Sequence, residues 1–246
     1  MPSAPSLPRL VTEVEDALRS TAEAARLLNA VDRLRARPRL LRSHLALLLG
    51  CERCLERVAA RSSWHENGFA KVRLAVRTGY SVRLHVWPPG GVTRGDINPH
   101  GHRWEFASWV AVGAGLDETY FDEDPDSPHA ATYTRCAYGY VDGRRTLTAL
   151  DEARLCEQDP IRRSSRSTYA CMRDVIHTVV PLGRDFVATV VVQGPVLSEK
   201  TCVYLAPTRS HASYRRMSTD ELRELLGRVA ALLPADDRGG ALEAVP

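Results

Sequence analysis

Residues 95–106 read Gly95-Asp96-Ile97-Asn98-Pro99-His100-Gly101-His102-Arg103-Trp104-Glu105-Phe106. The glycine, asparagine and proline at its start signal a turn, and Glu105, Phe106 and Ser108 lead into a strand-like run. Two histidines two residues apart on an extended backbone present their imidazoles to the same side. His100 and His102 can therefore converge on one ion without help from the rest of the chain. A third histidine, His177, lies in a second β-like run, Val175-Ile176-His177-Thr178-Val179-Val180. Three neutral imidazoles from neighbouring strands make a facial metal site with open positions. The alternative is that all three are ordinary polar strand residues.

Outward from that stretch the chain is mainly β. Val72 to Arg77, then Thr78-Gly79, then Tyr80 to Trp87 has the period of two and the turn of a hairpin, and Pro88-Pro89-Gly90-Gly91 ends it. Further strands are expected at about 106–113, 117–122, 131–140, 145–157, 167–172, 175–180, 185–193 and 201–205. Turn signals such as Asp124 to Pro128, Val141-Asp142-Gly143 and Leu182 to Asp185 separate many of them. Short strands at this spacing predict an antiparallel sandwich or barrel.

Helical patterns flank this region. From about residue 8 to 62, Val11, Val14, Leu18, Ala25 and Leu28, and later Leu41, His44, Leu45, Leu48, Cys51, Leu55 and Val58, keep helical spacing. Pro38 starts a helix comfortably but disrupts the interior of one, which predicts two antiparallel helices meeting there. The arginines around that junction read as a solvated face rather than a DNA-binding turn. At the other end, Ser218 with Glu221 forms a capping-box signature ahead of Leu222, Leu225, Leu226, Val229 and Leu232. A frayed tail is expected after Pro234. The expected organisation is a helical segment over 1–66, a β domain over 67–208 and a helix with tail over 209–246.

Composition narrows the function classes. With 44% hydrophobic and 26% charged residues the chain is an ordinary globular protein of one substantial domain. No apolar run reaches the roughly 18–20 residues that span a bilayer, and no basic-then-apolar leader opens the chain, so a cytoplasmic location is expected. A net charge of +3 is too small to argue for nucleic acid. Lys71 and Lys200 are the only lysines among 33 basic residues, a bias expected of a GC-rich, bacterial genome. Six cysteines in such a compartment are read as free thiols, including the Cys51 and Cys54 of a lone CxxC. Asp122, Asp124 and Asp126 suggest a calcium loop, but Ser127 and Tyr133 stand where its glycine and bidentate glutamate belong, so an acidic turn is expected.

The stretch from Gly95 to Phe106, running on to Gly113, resembles the first motif of the cupin superfamily, and Ile176-His177 with the strand Phe186 to Gln193 is similar to the second. The resemblance covers roughly residues 69–205. It implies a double-stranded β-helix barrel with an N-terminal helical hairpin and a C-terminal helix, and a metal held inside by His100, His102 and His177. The cupin carboxylate ligand would fall at Phe106 or Ala107, which cannot supply it. Glu105 shares strand parity with Ala107 and is a candidate metal ligand or catalytic base, or else a rim residue. Within the superfamily the chain is similar to three-histidine thiol dioxygenases in Tyr80 to Trp87. It lacks their Ser/His/Tyr set, because Val187 to Gln193 contains neither histidine nor tyrosine.

What the resemblance implies is a mononuclear non-haem iron(II) oxygenase or dioxygenase using O2 on a small organic substrate, with zinc, nickel, copper or manganese as other metals the ligands would accept. A metal-dependent isomerase, lyase or decarboxylase, or a non-catalytic ligand-binding cupin, are the alternatives. Arg83, His85 and Trp87 share one face of their strand and Val82, Leu84 and Val86 the other. Arg83, His85 and Trp104 are candidate substrate-binding residues for an anion, the other reading being a polar outer face. Tyr169 is a candidate hydrogen-bond donor beside the metal, or a half-buried core tyrosine. His44, His65, His129 and His211 carry no assigned role. The apolar helix stripes need burial, on the barrel or in a homodimer.

Overall fold

A computed structural model describes residues 9–20, 25–65, 67–90, 97–141, 144–207 and 215–233. Four helices open it: α1 (Arg9–Ser20), α2 (Arg26–Ala36), α3 (Pro38–Leu49) and α4 (Glu52–Ala59). The strands are β1 (Ser63–Trp64), β2 (Ala70–Arg77), β3 (Tyr80–Trp87), β4 (Phe106–Val112), β5 (Gly115–Glu123), β6 (Ala131–Val141), β7 (Arg144–Glu157), β8 (Ile161–Ser164), β9 (Thr168–Cys171), β10 (Ile176–Pro181), β11 (Val187–Gln193), β12 (Thr201–Leu205) and β13 (Arg215–Arg216). Helix α5 (Thr219–Leu232) follows. The turn glycine of 141–143, the His211 position and the tail after Pro234 lie outside the described residues.

The expected pair of helices is four. Pro38 opens α3 as anticipated, but Gly50 ends that helix and Cys51, in extended conformation, starts α4. The free-thiol expectation also fails there, since Cys51 and Cys54 are joined as a disulfide. The capping box of α5 forms as read: Ser218 Oγ accepts from the Glu221 amide at 3.2 Å, and the Glu221 carboxylate accepts from the Ser218 amide at 2.8 Å. Asp124 Oδ1 accepts from the amides of Asp126 and Ser127, an acidic turn closed on itself.

The strands form two antiparallel sheets. One has the order β13-β1-β2-β3-β11-β4-β9, the other β10-β5-β7-β6-β12 with β8 paired to β5. The three strands the sequence did not announce are β1, β8 and β13. Two are only two residues long, and β8 (Ile-Arg-Arg-Ser) lies largely in solvent without apolar alternation.

The helices cover one face of the first sheet. Val72, Leu84, Val86, Ala107, Trp109, Val190 and Val192 share a core with Leu34, Leu45, Leu55, Leu222 and Leu226. That placement decides everything about the opposite face. Because side chains alternate along a strand, the residues between those apolar ones turn inward, toward the second sheet. On β3 the inward row is Arg83, His85 and Trp87, so the apolar row packs beneath helices rather than between the sheets.

A candidate metal centre and its cavity

His100 and His102 do not lie in a named strand. Residue 100 forms single bridges to His177 of β10 and to Val203 of β12, which are the two ends of the second sheet's order. The His100 amide donates to the His177 carbonyl and the His177 amide to the His100 carbonyl, each at 3.1 Å; the Gly101 amide donates to Cys202 at 2.9 Å. The segment is thus stitched across that sheet's ends. Gly101 sits at a close approach, where a Cβ would stand 3.0 Å from Thr201 Oγ1.

This backbone brings the three imidazoles together. Ring centroids are 5.1 Å apart for His100 and His102, 5.2 Å for His100 and His177, and 5.0 Å for His102 and His177. One nitrogen from each lies within 4.8 Å of the others. His100 Nδ1 donates to the Asn98 carbonyl at 3.0 Å, which leaves its Nε2 as the lone-pair nitrogen. Burial, then repulsion from His177, lowers the pKa of His100 to about 3 and drives that of His102 well below its ordinary value. Both rings are neutral, the form that ligates. His102 Nδ1 is buried without a hydrogen-bond partner, a cost that metal coordination through that nitrogen would offset. The donor set therefore fits a divalent first-row ion.

Sequence reasoning missed what holds His177. Its Nδ1 donates to Glu118 Oε1 at 2.8 Å, and Glu118 is wholly buried. Arg163 donates to Glu118 Oε2 and to the Tyr120 hydroxyl, each at 2.8 Å. Burial pushes the Glu118 carboxyl up, but the His177 and Arg163 partners outweigh it and hold it below its usual range. Nothing in Leu116-Asp117-Glu118-Thr119 distinguishes the two acids; only the pairing of Thr119 and Tyr120 with Thr178 and His177 puts β5 beside the ring. Cys171 lies beside Glu118 and His177 as well. Burial, then the Glu118 charge, pushes its thiol well up, so it stays protonated.

The other candidates divide. Arg83, His85, Trp87, Trp104 and Tyr169 line the same cavity as the three histidines, a space of about 120 Å³. The Arg83 guanidinium lies 5.1 Å from the Trp104 ring. Burial, then the Glu118 charge, keeps the Tyr169 phenol protonated. Glu105 is a correction: it does not line the cavity. Ala107, whose parity it shares, packs into the core under the helices, so the parity argument points Glu105 away from the barrel interior. Phe106 faces inward instead, its ring 4.9 Å from His102. His65, given no role by the sequence, stacks on Phe69 at 4.5 Å and lines the cavity too.

Two sheets with metal-competent histidines between them decide the architecture. The fold is of the cupin type. Solved cupin structures are among those it resembles. A cupin domain from Bordetella pertussis is 13% identical over 53% of this chain and 96% of its own, with a TM-score of 0.30. KdgF from a Halomonas species is 11% identical over 52% and 79%, TM-score 0.28. A Streptomyces PAC13 variant with uridine is 9% identical over 67% and 92%, TM-score 0.33. No protein-family model and no curated protein matches the chain. The cupin-type assignment rests on the strand order and the histidine placement, not on these superpositions. Among the described residues no helix is long and apolar enough to cross a membrane.

Proposed function

We propose that the chain is a metal-dependent cupin enzyme, a cytoplasmic mononuclear non-haem iron(II) oxygenase acting on a small anionic organic molecule. The observation that carries this reading is three converging histidines, His100 and His102 held neutral by burial, at a cavity whose described lining includes Lys71, Arg73, Arg83 and Arg103. Iron(II) held by His100, His102 and His177 would supply redox chemistry with dioxygen and a Lewis-acidic seat for substrate.

The chain's own residues do the rest. Glu118 fixes the His177 tautomer and orientation, and Arg163 fixes Glu118. The Asn98 carbonyl does the same for His100. Phe106 stands where a fourth, carboxylate ligand would reach in other cupins, which leaves open positions for two reactants. Tyr169, protonated, offers a hydrogen bond to a bound oxygen atom of substrate. The cationic wall orients the anion. A non-oxidative isomerase, lyase or decarboxylase needs a proton-transfer group, and Glu105, the carboxylate assigned to that task, is not in the cavity.

Protein purified without added metal is expected to carry near-stoichiometric iron by elemental analysis. After anaerobic iron(II) loading it should consume oxygen when offered small organic acids, and His100→Ala, His102→Ala and His177→Ala should each abolish both. Tightly held zinc with no oxygen uptake would favour the non-oxidative reading. Metal content unchanged in the triple variant would end both.

A further inference from the structure

Cys51 and Cys54, three residues apart, are joined as a disulfide at the start of α4. Other contacts already dock that helix. Leu55 and Val58 belong to the core that α5 and the first sheet share. At the far end of α4, Ser62 Oγ accepts from the Arg73 amide at 3.1 Å, and the Arg61 guanidinium donates to the carbonyls of Arg73 and Leu74, which ties the chain to β2. At the near end Glu52 pairs with Arg223 of α5. A bond that closes so short a loop joins no two distant elements and constrains the unfolded chain less than a longer loop does. The two sulfurs also differ in their surroundings. Cys51 is the N-cap, extended at φ −134° and ψ 97°, and its side chain caps no amide. Its carbonyl accepts from the amides of Cys54 and Leu55 at 2.9 and 3.0 Å, so the helix begins at this residue. Cys54 lies within the first turn and packs against the core. Both are half-buried, and neither lines the histidine cavity.

We propose that Cys51 and Cys54 form a thiol–disulfide exchange site that trades two electrons with low-molecular-weight thiols and their disulfides. In the reduced chain Cys51 is the nucleophile. A thiolate at the N-cap sits where a helix start favours an anion and can accept from the amides of the first turn. It attacks one sulfur of a small disulfide: a bond to the Cys51 sulfur forms, the small disulfide's own S–S bond breaks, and one small thiolate leaves. Cys54 then gives its proton to solvent, and its sulfur attacks that of Cys51. The intrachain bond forms, the mixed disulfide breaks, and the second small thiolate leaves. Two chain thiols are oxidised while one small disulfide is reduced to two thiols. Reduction of the chain runs through the same steps backwards, with small thiols as the electron donors. No step involves the three histidines.

The test equilibrates the native full chain, without denaturant, in mixtures of glutathione and glutathione disulfide. Samples are quenched in acid, alkylated and digested with trypsin, which cuts after Arg53 and so separates the two cysteines unless the disulfide holds them together. The linked peptides should give way to two alkylated ones as the thiol share of the mixture rises, and should return as it falls. Glutathione disulfide should leave Cys54→Ser with one glutathione on Cys51, and should label Cys54 in Cys51→Ser about tenfold more slowly or worse. Both variants should keep the parent's urea midpoint, because other contacts dock α4. A pair that opens only in urea, or that stays reduced in pure glutathione disulfide, would overturn the proposal. Faster labelling of Cys54 than of Cys51 would do the same, and so would a midpoint that collapses in both variants, which marks a structural staple.

Discussion

The two sheets are built from similar strands but live in different surroundings. In β4 and β11 every residue is buried, one face under the helices and the other between the sheets. In β6 and β7 the buried side chains are few, among them Cys136, Ala153 and Leu155, and the outer face is held in solvent by Arg135 bridging Glu123 and Asp151. An antiparallel sheet ordinarily leaves one face to water; here only the second sheet does. On the doubly buried sheet an apolar row fits the helix side, so any polar row must face the site. Arg83 and His85 are in the cavity because Leu84 and Val86 are not.

That contrast can be broken at several points. The largest effect is expected on the helix side of the first sheet. Leu84→Ala should cost about 2–5 kcal/mol in urea unfolding, while metal bound per folded molecule stays as in the parent. Loss of metal in the remaining folded fraction would show that the two faces are not separable.

On the inward face, Glu118→Gln should lower metal affinity about 10–100-fold in a chelator competition, because His177 loses the carboxylate that orients it. An unchanged affinity would mean that backbone pairing alone aims the ring.

The same face should set the acid response of the metal-free protein. His100 and His102 have pKa values depressed in the fold, to about 3 for His100. An unfolded histidine near 6.5 binds protons that the folded one refuses, so stability is full above about pH 6.5 and falls as pH drops from there toward 3. Urea midpoints measured across that window should decline, and His100→Gln should flatten the decline.

The smallest effect belongs to the solvent face of the second sheet. Arg135→Ala should change stability by less than about 1 kcal/mol, since exposed ion pairs contribute little, and high salt should shrink even that.

Much of this was legible in the chain. The period-two hairpin of β2 and β3, the strands from β4 to β12 other than β8, and the Ser218 cap each express a local rule, and each stands where the sequence places it. The convergence of His100, His102 and His177 was readable because spacing of two fixes the first pair and a resemblance supplies the third. Glu118 and Arg163 were not readable, because they reach His177 only through the pairing of β5 with β10 and of β8 with β5. Glu105 misled because strand parity gives two faces without saying which is inside.

By itself, then, the sequence determined which residues could alternate, cap, turn and ligate, since those properties follow from bonds and neighbours within a few positions. Tertiary structure alone decided which alternate row met the helices and which met the cavity, and that Lys71 and Arg73 joined Arg83 and His85 on one wall. The physical reason is that burial belongs to a pair of surfaces, and the second surface here comes from helices at the far ends of the chain.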